Sequence, residues 1–165
     1  MKISIQSLKN GLNFFEFKPE IDEMDFNVNT DFQVVQIEVK STVDKSEQNI
    51  IVTNKIRSDL RLICDNCLEE YRGKIDDAYT IFYTSEKSNY NSDDEMTRFL
   101  SKSVLEIDLC EGLRESILLS MPMRFKCSEN CKGLCDQCGK NLNKSSCQCR
   151  KSSFDPRWQE LQKLL

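Results

Sequence analysis

Histidine is absent from the 165 residues. That excludes Ser-His-Asp and Cys-His nucleophilic sites, histidine general bases and imidazole metal ligands. Long apolar runs are also missing. The start, MKISIQSLKN, has no apolar run of about 7–15 residues behind a basic end, so no secretory signal is expected. No stretch nears the roughly 18–20 apolar residues of a membrane span. Internal repeats and low-complexity tracts are lacking too. No paired carboxylates, glycine-rich phosphate loop or nucleophile–base pair stands out, so the chain does not read as an enzyme and no small-molecule substrate is expected. The acids Asp93, Asp94 and Glu95 sit in a polar stretch and read as solvated.

What is present is a folding sequence. The 39% apolar content, with 9 Phe, 4 Tyr and 1 Trp, suits a soluble globular chain rather than a disordered one. Its length suits one domain with a small appendage. Such a chain buries roughly 70% of its unfolded surface without staples.

Alternation organises the first part, and short strands and loops are expected before residue 31. Over 31–40, Val35, Ile37 and Val39 face one way and Gln36, Glu38 and Lys40 the other, as in a half-buried strand. STVDKSEQN then reads as a turn. From Ile50 to Cys64, Ile50, Val52, Ile56, Leu60 and Leu62 oppose Thr53, Lys55, Arg57, Asp59 and Arg61. The two strands should form an antiparallel hairpin. A third strand follows over 71–83. Residues 84–103 read as a long polar surface loop with room for one short helix. Asp108 and Glu111 have capping-box spacing before a helix with Leu109, Leu113 and Ile117 on one side, ended by Pro122. A terminal helix is expected after Asp155-Pro156, with Trp158, Leu161 and Leu165 on one side. The expected fold is α+β: an antiparallel sheet with a packed helix over 1–120, then a cysteine-rich tail over 121–165.

Nine cysteines are many for this length. In a reducing cytosol, the expected compartment, they read as metal ligands more than disulfides. Cys110, alone in an apolar helical pattern, reads as core. The densest run is Cys127, Cys131, Cys135, Cys138, Cys147 and Cys149. Cys135-x2-Cys138-Gly139 is a turn whose amides point at sulfur and whose glycine permits the left-handed backbone. Both thiolates can reach one Zn²⁺ at about 2.3 Å. Cys147 and Cys149 are the favoured closing pair, with Cys127 and Cys131 competing. Six sulfurs exceed the need of one ion. Either two are bystanders, or Cys64 and Cys67 join to make eight ligands for two ions; one zinc is the preferred reading. An iron–sulfur cluster is the alternative metal group. Four thiolates leave no open coordination position, so the metal would be structural. Cys64-x2-Cys67 taken alone stays open between an auxiliary metal pair, a buried apolar pair and a redox pair.

Charge divides unevenly. Residues 1–120 carry −9 and residues 121–165 carry +5, cut to about +3 by one tetrathiolate zinc. Lys132, Lys140, Lys144, Arg150 and Lys151, with Lys126 and Arg157, could neutralise RNA phosphates, and Lys55, Arg57 and Arg61 add a stripe beside Cys64. A solvated surface or a protein-docking face accounts for such charges equally well.

Several marks together resemble a known family. They are Cys64-Asp65-Asn66-Cys67-Leu68-Glu69 after an alternating strand, and Met121-Pro122-Met123 before Cys127. Next come Cys131-Lys132-Gly133-Leu134-Cys135 through Cys138-Gly139, and Asn141-Leu142-Asn143. Cys147-Gln148-Cys149 and Asp155-Pro156-Arg157-Trp158 complete the set. The chain resembles the YceD family, in its cysteine-rich, Gram-positive-type branch, whose members are tied to accumulation of 23S ribosomal RNA. Asn66 stands where the family often has arginine, and Asp136 where it often has proline. The resemblance implies a non-catalytic ribosome-biogenesis factor that binds precursor ribosomal RNA or a large-subunit assembly factor, with no membrane partner. A zinc-ribbon protein–protein adaptor and a thiol redox sensor are the rivals. Oligomeric state is not legible.

Overall fold

The computed structural model describes residues 1–24, 26, 32–85, 96–101 and 103–149. In chain order the elements are β1 (Lys2–Ser4), β2 (Gly11–Phe17), β3 (Phe32–Lys45), β4 (Asn49–Ile63), β5 (Glu70–Thr84), β6 (Thr97–Phe99), β7 (Glu106–Asp108) and α1 (Cys110–Leu119). Short 3₁₀ turns occupy Ile5–Ser7 and Ile21–Met24. Five strands form one sheet in the order β2-β3-β4-β5-β6, and β1 and β7 form a second, two-stranded one.

The long strands form because every second residue can be buried. In β4 each even position from Ile50 to Leu62 is buried, and Cys64 continues that face just beyond the strand at 0% exposure. Asn54 and Ser58 are the polar members of this face. From β3, Val34, Ile37, Val39 and Val43 join it. Leu113 and Ile117 of α1 pack into the same core, and Leu109 packs into a second cluster with Ile3, Val52 and Ile81. Burying an aliphatic side chain of this size stabilises by about 1.5–3 kcal/mol, so the face it selects also fixes strand register.

Five expectations need correction. A bulge between Val34 and Gln36 shifts the β3 register, so Val34 points inward and Val35 is half exposed. The strand continues through 41–45, because Ser41 and Val43 stay on the buried face, and the turn shrinks to 46–48. The sheet is mixed, since β6 pairs in parallel with β5 through Phe82 and Thr97. Cys110 is only partly buried rather than core. The capping box is half made: the Asp108 carboxylate accepts the Cys110 N–H at 2.9 Å, while Glu111 lies 3.8 Å from Arg98. The expected terminal helix and the acids 93–95 lie outside the described residues.

Candidate metal centres

The first turn of interest closes the longest strand pair. Ile63 pairs with Glu70, so Cys64–Glu69 is the hairpin turn between β4 and β5. Its backbone folds tightly: the Cys64 N–H donates to the Glu69 carbonyl at 3.0 Å, and the Leu68 N–H donates to the Cys64 carbonyl at 2.8 Å. The same pattern recurs in the tail. The Cys135 N–H donates to the Lys140 carbonyl at 2.8 Å, and the Gly139 N–H donates to the Cys135 carbonyl at 2.9 Å. Each turn therefore presents two sulfurs on one side of a knuckle. Both need a left-handed residue after the second cysteine; Gly139 has φ +69° and Leu68 has φ +57°.

Each knuckle gains a second cysteine pair. Cys64 and Cys67 meet Cys127 and Cys131; Cys135 and Cys138 meet Cys147 and Cys149. Within each set all four Sγ atoms lie within 4.8 Å of one another. The separations are 3.9 Å for Cys64 to Cys131, 3.7 Å for Cys67 to Cys127 and 3.4 Å for Cys135 to Cys147. A tetrahedron with metal–sulfur bonds of about 2.3 Å has edges of about 3.8 Å, so both donor sets fit a divalent ion that favours thiolates. The favoured tail set thus comes together. Cys127 and Cys131 lie with the hairpin turn instead of competing for it.

Proton affinities follow the same geometry. Burial pushes the Cys64 thiol up, but the amides of Cys127, Cys67 and Asn66 aimed at its sulfur outweigh this and bring it to about 6. The amides of Cys138 and Gln137, then the Cys147 thiol, bring Cys135 to about 7. The Cys131 bond and burial push Cys127 up to about 12, and Cys138 and burial do the same to Cys149. Each set therefore shares protons among crowded sulfurs, and a cation that replaces those protons relieves the crowding.

The tail is bonded to the first knuckle. The Asp65 N–H donates to the Phe125 carbonyl at 2.9 Å and the Asp65 carboxylate accepts the Phe125 N–H at 2.8 Å. Arg124 donates to the Asn66 side-chain oxygen at 2.7 Å. The Leu134 N–H donates to the Asn66 carbonyl at 3.0 Å, an approach that Gly133 permits: a Cβ there would meet that oxygen at 3.0 Å. Asn143 crosses between the sets, its amide donating to Cys131 Sγ at 3.2 Å while its oxygen accepts the Lys132 N–H at 2.8 Å.

The basic residues are dispersed. Lys132, Lys140 and Lys144 are exposed around the second knuckle, but Lys144 pairs with Glu69 at 2.6 Å. On the outer sheet face Arg57 sits between Glu38 and Asp76 and pairs with Asp76 at 2.8 Å. Lys55 lies beside Lys40, itself 3.2 Å from Glu16. Arg61 lies beside Arg72 at the end of the sheet that leads into Cys64. Arg150 and Lys151 lie outside the described residues. Among the described residues no helix is long and apolar enough to cross a membrane. Nor does a helix follow Cys67, as a thioredoxin-type redox pair would need; β5 does.

The family model described as "Large ribosomal RNA subunit accumulation protein YceD" matches residues 52–165, a span that contains both cysteine sets. The chain belongs to the YceD family. An uncharacterized protein of Mycobacterium tuberculosis is 28% identical over 126 residues, which is 74% of this chain and 59% of that protein, so the chain spans less than two thirds of it. A chloroplastic YceD homolog 1 of Arabidopsis thaliana, named a large ribosomal RNA subunit accumulation protein, is 38% identical over 52 residues, 32% of this chain and 16% of its own. The Zea mays protein of the same name is 48% identical over 46 residues, 27% of this chain and 16% of its own. No solved structure matches this YceD chain. The family takes its name from RNA accumulation rather than from a reaction.

Proposed function

We propose that this YceD-family chain supports accumulation of 23S ribosomal RNA by binding precursor RNA during large-subunit assembly, without catalysis. The family match carries the reading, because it spans both knuckles and the basic tail. In this reading residues 1–120 are a scaffold, 121–165 are the RNA-facing tail, and zinc held by Cys135, Cys138, Cys147 and Cys149 keeps that tail in shape. Such an ion supplies no chemistry beyond crosslinking four thiolates. Lys132, Lys140 and Arg61 are the better phosphate contacts, since Arg57 and Lys144 are engaged by acids.

The rival of a protein adaptor draws on Met123 and Leu119, which project almost wholly into solvent near the tail. Depletion in the host separates the outcomes. The ratio of 23S to 16S RNA should fall, with rescue by wild type but not by Lys132→Glu/Lys140→Glu. An unchanged ratio sinks the ribosomal role. Rescue by the charge-reversed chain sinks the phosphate contacts and favours the adaptor.

A further inference from the structure

We propose that Cys64, Cys67, Cys127 and Cys131 form a second, separate tetrathiolate zinc site, and that its ion is the clasp that docks the tail onto the sheet. The donors come from two places. Cys64 and Cys67 belong to the β4–β5 hairpin turn, and Cys127 and Cys131 lie 60 or more residues further along the chain. No local turn brings such distant pairs together, so whatever holds these sulfurs closes a long loop.

Three observations carry the assignment. First, the separations of 3.9 and 3.7 Å match the edges of a tetrathiolate tetrahedron. Second, the sulfurs are served as thiolates are. The Cys127 amide points at Cys64 Sγ from 3.4 Å and the Asn143 amide donates to Cys131 Sγ at 3.2 Å, a donor supplied by the loop between the second knuckle's cysteine pairs. Third, the hairpin half of the site is buried, while Cys127 and Cys131 close it from the more exposed side. Cys64 and Cys67 are 0% and 3% exposed, and burying thiolates there without a cation is costly.

The position of the site explains its role. The bonds from Asp65 to Phe125 and from Asn66 to Leu134 flank it on both sides, and Cys135 of the second knuckle follows four residues after Cys131. The second knuckle therefore starts from a segment that the first site holds, and its loop returns Asn143 to Cys131. Asn143 is a positioning residue: it touches Cys131 through its amide and takes no place in either donor set.

The test is metal content of the full, reduced chain, with tail variants that spare the sheet. Wild type should hold two zinc ions. Cys127→Ser/Cys131→Ser and Cys147→Ser/Cys149→Ser should each hold one. Hydrogen exchange at Leu134 should lose protection in the first variant and keep it in the second. Asn143→Ala should weaken zinc at one site by about 10–100-fold and leave the other unchanged. Cobalt titration of wild type, with thiolate charge-transfer absorption growing to two equivalents, serves if a variant does not fold. One ion in wild type overturns the proposal. So do two ions in Cys127→Ser/Cys131→Ser, iron with acid-labile sulfide, or disulfides between these pairs in the intact mass.

Discussion

The turn at Cys64–Glu69 and the turn at Cys135–Lys140 make the same backbone hydrogen bonds but have opposite supports. The first is welded into the longest strand pair of the sheet, so its conformation is dictated on both sides by ladder hydrogen bonds. The second hangs from a tail whose described residues hold one isolated bridge, Leu134 to Asn141. That difference accounts for the residue after each second cysteine. The supported turn tolerates Leu68 in the left-handed region, and the unsupported one has Gly139 there. A sheet can hold a strained residue in place; a short tail depends more on its own sequence.

The largest effect should come from removing metal. Structural zinc sites contribute apparent binding free energies of about 10–16 kcal/mol, comparable to a typical domain's whole stability. A chelator should abolish amide protection over 126–149 and leave β3, β4 and β5 protected except near the Cys64 turn. Equal loss in sheet and tail would show that the two turns are not supported differently. The next effect should come from glycine. Gly133→Ala meets both a left-handed backbone (φ +72°) and the Asn66 oxygen at 3.0 Å, whereas Gly139→Ala meets the backbone term alone, with nothing within 4 Å. Strain of this kind costs about 1–2 kcal/mol, so both variants should lose stability in urea, Gly133→Ala the more. Leu68→Gly should act the other way. Leu68 is 66% exposed, so little burial is lost, and relief of strain should outweigh the added freedom of the unfolded chain by about 0.5–1 kcal/mol.

The strands were legible in the sequence because burial of alternate residues needs no knowledge of partners. The alternation alone points Val35 inward, because a bulge is a property of two strands, not of one. Residues 41–45 looked like a turn because Ser41 is polar, yet the sheet buries it. β6 is three residues long and pairs in parallel, which leaves almost no pattern in its own sequence. Of the metal-binding candidates, Cys135-x2-Cys138-Gly139 carried its own signal in the glycine. Cys64-x2-Cys67 did not, since Leu68 occupies the glycine position. Its partners are also tertiary neighbours: Cys67 meets Cys127 across 60 residues, and only the folded hairpin says which pair belongs to which turn.

The smallest expected effect concerns an ion pair that joins the two regions. Lys144, from the second knuckle's loop, sits 2.6 Å from Glu69 of the first. The bond to Lys144, and then burial working against it, leave the Glu69 carboxyl below its ordinary value. A carboxyl with a lowered folded value stabilises the folded state above its unfolded value near 4.5 and loses that contribution as pH falls through the folded one. Both side chains are substantially exposed, and exposed pairs contribute little. Lys144→Ala should therefore leave the urea midpoint almost unmoved at pH 7. What difference remains from wild type should shrink further below pH 4 and in high salt. A large loss at pH 7 would mean that the tail is held to the sheet by charge, and the clasp of four sulfurs would no longer be needed to explain its docking.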